Sequence, residues 1–100
     1  MDSILHKNRR DASETLALRK MAGNWIRAQR EKCGLSQREL AERVGLDYYT
    51  FVSQLETGRG RIPPDKYTLW AKAFDMDAKS LVMGLMPYYE PEIHKILFES

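Results

Sequence analysis

Apolar residues recur at intervals of three and four along most of the chain, which is the period of an α-helix. The first such segment predicts that residues 12–33 are mostly helical, and its apolar positions are Leu18, Ala22, Trp25 and Ile26. Asp11 and Glu14 resemble a capping box at its start, and Gly34 suits a left-handed residue just beyond its end. The dipeptide at residues 23–24, Gly-Asn, predicts a break within this segment, with the asparagine as the cap of the second piece.

Two shorter helical segments follow, separated by a tight turn. Ser36 and Glu39 have the spacing of a second capping box, and the apolar face that follows ends at Gly45. The next helix is predicted to begin at Asp47 or Tyr48 and to end before Gly58, with Val52 and Leu55 on its buried side. Two helices of this length joined by a glycine-containing turn are typical of a helix-turn-helix motif.

The second half of the chain also has helical periodicity, and no segment alternates as a strand does. Pro64 is predicted to open a helix that runs to about Phe74, and another helix is predicted from Ala78 to about residue 85, ended by Pro87. Pro91 suits the start of a last short helix. The pattern predicts an all-α bundle divided into a flexible basic arm (1–11), a helical domain (12–85) and a C-terminal extension (86–100).

Composition narrows the class of function. The chain has 100 residues, one cysteine and two histidines that are not at metal-ligand spacing. These numbers argue against a disulfide framework and a metal site. We find no glycine-rich phosphate loop, paired-carboxylate constellation or apolar run long enough to cross a membrane. We therefore expect a cytoplasmic protein that is not an enzyme and has no cofactor, small-molecule substrate or membrane partner.

The charge is unevenly distributed, although the net charge is only +2. Residues 1–35 carry 8 basic and 4 acidic side chains, residues 36–64 carry 4 of each, and residues 65–100 carry 4 basic and 6 acidic ones. A basic first third and an acidic last third favour a molecule with one face towards phosphate groups. A charge gradient of this kind also occurs on solvated surfaces without a function.

Residues 35–58, LSQRELAERVGLDYYTFVSQLETG, resemble the helix-turn-helix of the Cro/CI-like family, also called the XRE family. The resemblance extends over about residues 22–85 and implies a compact bundle of five to six helices, the lambda repressor-like DNA-binding domain. It implies double-stranded DNA as the partner and a second helix that enters the major groove. One departure is that six residues separate Gly45 from Val52, where the family pattern has five. The extra residue is expected in the turn or in the first turn of the second helix.

The side chains opposite Val52 and Leu55 are those that would meet base edges. They are polar and carry little charge: Tyr49, Thr50, Ser53 and Gln54. Gln54 is the best single candidate, because a carboxamide can pair with the N6 and N7 atoms of adenine. Contacts to the DNA backbone are assigned to the start of the first motif helix, the end of the second and the loop after it, at Ser36, Gln37, Thr57, Arg59 and Arg61. Arg38 and Arg43 are weaker candidates, and the alternative for the whole set is an ordinary solvated surface.

The resemblance also assigns a structural role to two charged residues. In the family an arginine at the position of Arg30 pairs with a glutamate at the position of Glu56, largely out of solvent. Such a bidentate pair would hold the second motif helix against the first helix of the domain.

A single module of this size reads little sequence, so a dimer that binds two half-sites about 34 Å apart is expected. The C-terminal extension offers candidate side chains for the dimer interface: Tyr88, Tyr89, Ile93, Ile96, Leu97 and Phe98. The same segment could instead fold back over its own core. Two alternative functions stay open, an antitoxin that also binds a toxin and a protein-interaction module that does not bind DNA.

Overall fold

The computed structural model describes residues 11–99, which form six α-helices and no strand. In chain order the helices are α1 (Ala12–Lys32), α2 (Gln37–Arg43), α3 (Thr50–Glu56), α4 (Tyr67–Ala73), α5 (Ala78–Tyr89) and α6 (Pro91–Phe98). A short 3-10 turn, Pro64–Lys66, leads into α4. The expected all-α class is confirmed for this part of the chain. The predicted arm, residues 1–11, lies outside it except for its last residue.

Side-chain caps explain where three of the helices begin. The Asp11 carboxylate accepts a hydrogen bond from the backbone N–H of Glu14 at 2.8 Å, and this bond lowers the pKa of Asp11. At the start of α2, Ser36 and Glu39 form the complete capping box. Asp77 caps α5 by accepting from the backbone N–H of Ser80 at 2.7 Å. Each cap satisfies an N–H group that the first turn of a helix leaves without a partner.

The long helix α1 is the centre of the bundle, because it packs against both α3 and α5. Helix α2 packs against α3, and α5 packs against α4 and α6. The core between them is made of side chains that lose nearly all contact with solvent: Ile26, Leu40, Val52, Leu55, Ile62, Leu81 and Leu85. Its continuity through α1, α3 and α5 fixes the position of α3 relative to the rest of the domain.

The predicted break at residues 23–24 is wrong, since α1 is continuous from residue 12 to residue 32. Gly23 has another role there. A Cβ atom on Gly23 would overlap the backbone carbonyls of Leu55 and Glu56, so the missing side chain lets α1 approach the end of α3 closely. Gly84 on α5 serves the same purpose against the ring of Trp25. Sequence alone cannot separate a glycine that breaks a helix from one that admits a neighbour.

Pro87 does not end α5, which runs to Tyr89 and so crosses the domain boundary that the sequence predicts after residue 85. Proline inside a helix removes one backbone hydrogen bond and costs about 3 kcal/mol. Burial compensates here, because Leu85 and Tyr89 are four residues apart and both face the core. The Tyr89 hydroxyl also accepts a hydrogen bond from the backbone N–H of Ile62 at 3.1 Å. The added turn therefore stabilises the loop after α3.

Helix α3 begins at Thr50, two or three residues later than predicted. After α2 the chain turns at Gly45, whose φ of 71° is in the left-handed region, and the N–H of Leu46 bonds back to the carbonyl of Ala41 at 2.8 Å. No side chain caps α3. The extra residue in the spacing between Gly45 and Val52 therefore lies in the turn and not in the helix.

Candidate nucleic-acid interface

Helix α3 has one face in the core and the opposite face in solvent. Val52 and Leu55 are buried, whereas Thr50, Gln54 and Thr57 are exposed. This division follows from the helical period once two apolar positions are anchored. These three exposed side chains are polar and uncharged, so they can donate to and accept from base edges in a major groove.

The predicted DNA-contact residues of α3 and its C-terminal end differ in their exposure to solvent and in their hydrogen bonds within the protein. Thr50 and Gln54 are exposed, and neither side chain makes a hydrogen bond among the described residues. Ser53 is half-buried. The Thr57 hydroxyl donates to the carbonyls of its own helix at Ser53 and Gln54, at 2.9 and 3.1 Å. An exposed oxygen of Thr57 remains able to accept, but its proton is already engaged.

Aromatic side chains gather at the start of α3. Tyr48 is 75% exposed, and Tyr49 and Phe51 also reach solvent. The guanidinium of Arg38 on α2 lies over the Tyr49 ring, 5.2 Å from its centroid. This contact holds one positive charge beside the exposed face of α3 at Thr50 and Gln54, which is called the recognition face below. Phe51 was not among the predicted contacts, although its position three residues before Gln54 places the two side chains side by side on a helix.

The Arg30–Glu56 ion pair has the bidentate geometry that the resemblance implies. Nε and Nη2 of Arg30 donate to the two Glu56 carboxylate oxygens at 2.7 and 3.0 Å, and the side chains are 12% and 4% exposed. The pair raises the pKa of Arg30, chiefly through its hydrogen bond to Glu56. Nη1 of Arg30 also donates to the carbonyl of Leu35 at 2.8 Å. One arginine thus joins α1, the turn before α2 and the last residue of α3.

The two residues at the start of α2 are used within the fold. Gln37 donates its amide to Glu56 at 3.1 Å, which adds α2 to the ion-pair network. Ser36 is engaged in its capping box with Glu39, although its side chain remains at the surface. A contact of either residue with a DNA phosphate stays a prediction, and Gln37 could donate only the second hydrogen of its amide while the bond to Glu56 persists.

The two arginines of the loop after α3 have different environments. Arg59 is exposed, and no described side-chain hydrogen bond or ion pair involves it within residues 11–99. Arg61 points into the protein: it donates to the Tyr67 hydroxyl at 2.7 Å and to Glu90 at 3.2 Å, and it lies 4.4 Å from the centre of the Tyr89 ring. Both Nη atoms of Arg61 are thus engaged within the protein, while its buried Nε has no hydrogen-bond partner among the described residues. A contact of Arg61 with the DNA backbone stays a prediction, which would require it to leave these neighbours.

The C-terminal segment divides at the junction of α5 and α6. Tyr89 is buried in the core of its own chain, so its assignment to a dimer interface is wrong. Burial also raises the pKa of its hydroxyl. Tyr88 is half-buried. The large apolar side chains of α6 are exposed, and they are Ile93, Ile96, Leu97 and Phe98. The alternative in which the segment covers its own core therefore holds for α5, whereas a dimer formed through α6 stays a prediction.

Between positions 11 and 99, no three histidine, cysteine or acidic side chains come close enough together to hold a metal ion. None of the helices in that range has the length and apolar character needed to cross a bilayer. The hydrophobic core and the buried Arg30–Glu56 ion pair both hold α3 in place, and they thereby position the recognition face around Gln54.

Comparison with known families agrees with this geometry. A family model described as helix-turn-helix matches residues 26–81, from the second half of α1 to the first turn of α5. No curated protein gives a significant match to the sequence. The matched segment covers more than half of the chain and contains α2, its turn and α3. The chain belongs to the XRE family of helix-turn-helix DNA-binding proteins.

Proposed function

We propose that the protein is a transcriptional repressor that binds a two-half-site operator as a homodimer, with α3 in the major groove. The observation that supports it best is the recognition face, where the side chains of Thr50 and Gln54 are exposed and make no hydrogen bond within the described residues. Binding would place the protein at the nucleoid in the cytoplasm. A dimer over a promoter represses by excluding polymerase, which requires no activity other than binding.

Affinity for DNA is tested first with a pool of random duplexes, measured by fluorescence anisotropy at increasing salt. We expect the logarithm of the association constant to fall linearly with the logarithm of salt, by about 0.9 for each phosphate contact. Arg59→Ala should reduce the magnitude of this slope by about 0.9, the value for one phosphate contact, because the Arg59 side chain is exposed and has no described partner within the protein. Lys79→Ala, an equal charge change at an exposed site on α5, is the control. Absence of binding in dilute buffer contradicts the proposal.

Sequence reading is tested by selection of tightly bound duplexes from the same pool. The enriched sequence then serves as the operator. Gln54→Ala should cost about 1–3 kcal/mol, concentrated at one base pair, since a bidentate contact discriminates by about that amount. Thr68→Ala, at an exposed threonine of α4, is the control. A uniform loss over all base pairs would show that Gln54 does not read a base. Repression is tested by placing the operator in a reporter promoter.

The dimer is proposed to form through the exposed face of α6. Removal of residues after 84 is unsuitable as a test, because Leu85 and Tyr89 belong to the core. Ile96→Glu is suitable, since this side chain is 70% exposed and its change leaves the core intact. Light scattering should give twice the 11.7 kDa chain mass for the unmodified protein and a single mass for Ile96→Glu. Leu16→Glu, on α1, is the matched control, and a protein that is monomeric throughout contradicts the dimer.

A further inference from the structure

Two exposed aromatic side chains, Tyr48 and Phe51, are not explained by the fold. Both border a shallow depression of about 360 Å³ on the recognition face, which Gln54 and Thr50 also line. Phe51 is 38% exposed on a helix whose opposite face is fully packed, and Tyr48 lies at the tip of the turn. Tyr49 differs from them, because Arg38 already covers its ring. The surface formed by Tyr48 and Phe51 is called the aromatic ledge below.

The geometry points to a specificity-determining role for the aromatic ledge: it reads the 5-methyl group of a thymine next to the base pair that Gln54 contacts. This inference rests on the proposed binding of α3 in a major groove. The groove displays donors, acceptors and one apolar group, the thymine methyl. A phenyl ring cannot satisfy a donor or an acceptor, so the methyl is the group that Phe51 can contact without loss of a hydrogen bond.

Helix geometry limits where this thymine lies. Phe51 and Gln54 are three residues apart, which places their Cβ atoms about 5–6 Å from each other on one face. Successive bases along a strand are about 3.4 Å apart. The methyl group is therefore expected about one to two base steps from the base pair at which Gln54→Ala has its effect. It should lie on the side of the N-terminal end of α3, towards which Phe51 and Tyr48 are displaced.

The chemical probe is deoxyuridine, which pairs as thymidine does and lacks only the 5-methyl group. Each thymidine of the selected operator is replaced in turn, and affinity is measured by anisotropy at fixed salt. Burial of one methyl-sized apolar group is worth about 0.8 kcal/mol, so replacement at the contacted thymine should weaken binding about fourfold. Replacements elsewhere should have little effect.

A double-mutant cycle assigns the contact to the ledge. In Phe51→Ala the difference in affinity between thymidine and deoxyuridine should disappear at the sensitive position. In Tyr48→Ala the same difference should become smaller. Leu16→Ala, at an equally exposed apolar residue of α1, should keep the full difference. Circular dichroism monitors folding of each variant. Tyr48 is largely exposed, so its variant provides a test even if Phe51→Ala is unstable.

The outcomes separate this inference from the function on which it rests. A protein that binds no duplex contradicts both. Salt-sensitive binding without enrichment of any sequence, or an enriched operator that tolerates every deoxyuridine, contradicts the methyl contact and leaves DNA binding intact. A thymidine-dependent difference that persists in both ledge variants assigns the methyl contact to other residues. Loss of the difference in the ledge variants, with its retention in Leu16→Ala, supports the inference.

Discussion

Glu56 is the residue whose removal should damage the domain most. Its carboxylate accepts three hydrogen bonds, from Nε and Nη2 of Arg30 and from the amide of Gln37, and its side chain is almost out of solvent. Glu56→Ala would leave the Arg30 guanidinium bonded only to the carbonyl of Leu35. A buried charge stranded in this way costs about 3–5 kcal/mol. Since small domains are stable by about 5–15 kcal/mol, the loss is a large share of the total.

Urea unfolding followed by circular dichroism measures this loss. With an m value of about 1.5 kcal/mol per molar urea, the midpoint should fall by about 2–3 M. The matched control is Glu31→Ala, which breaks the ion pair of Arg27 and Glu31 on the exposed side of α1. That pair is solvent-exposed with i, i+4 spacing, so its loss should cost about 0.3–0.5 kcal/mol. If Glu56→Ala is no less stable than Glu31→Ala, the buried pair does not hold α3 in place.

A double variant separates the net stability of the pair from the cost of breaking it. Arg30→Met with Glu56→Leu removes both charges and fills their space with apolar groups, an exchange that is often neutral in buried pairs. The Leu35 carbonyl loses its partner, at a cost of about 1–3 kcal/mol. We expect the double variant to be more stable than Glu56→Ala. A double variant as unstable as the sum of the two single changes would contradict the idea that a stranded charge dominates the loss.

The remaining predictions concern packing, pH and the two loop arginines. Gly84→Ala should cost about 1–3 kcal/mol by overlap with Trp25, and the loss should shrink when Trp25→Phe is also present; equal losses in both backgrounds would argue against the overlap. Hydrogen bonds from Ser80, chiefly from its side chain and then from its backbone N–H, lower the pKa of Asp77. The stabilisation by these bonds is complete above the unfolded pKa of Asp77 and disappears as pH falls through the folded one. Melting temperature should therefore fall less steeply between about pH 5 and pH 2 in Asp77→Asn than in the unmodified protein, and parallel curves would contradict this. Arg61→Ala should lower stability by about 1–2 kcal/mol with little change in the salt slope, whereas Arg59→Ala should change the slope and not the stability; the reverse pattern would place Arg61 on DNA.

The elements and the family could be predicted because they depend on local signals. Capping residues marked the starts of α1 and α2, and Gly45 marked the end of α2. The exposed face of α3 followed from the helical period once Val52 and Leu55 were assigned to the core. The start of α3 was harder to predict from the sequence, because the turn before it contains an added residue and supplies no side-chain cap.

The sequence could not predict the tertiary neighbours of Arg61 and Tyr89. The role of Arg61 depends on Tyr67, Tyr89 and Glu90, two of which lie nearly thirty residues away along the chain, and a guanidinium suits a phosphate, a carboxylate or an aromatic ring equally well. The sequence shows that such a side chain needs a partner, but it does not show which partner the fold brings to it. Tyr89 was misassigned for the complementary reason, since the helix that buries it continues past a proline.

The contacts of Arg61 and Tyr89 together hold the loop after α3 in place. Ile62 is fully buried in that loop, and its backbone N–H bonds to the Tyr89 hydroxyl, while Arg61 beside it contacts Tyr89 and Glu90. The chain leaving the recognition helix is thus fastened to the point where α5 ends and α6 begins. Because α6 follows α5 after the single residue Glu90 and packs against it, a short connection and not a long linker sets the distance between the apolar face of α6 and the polar face of α3. A dimer formed through α6 would hold its two α3 helices at a defined separation, which is what two half-sites one helical turn apart require.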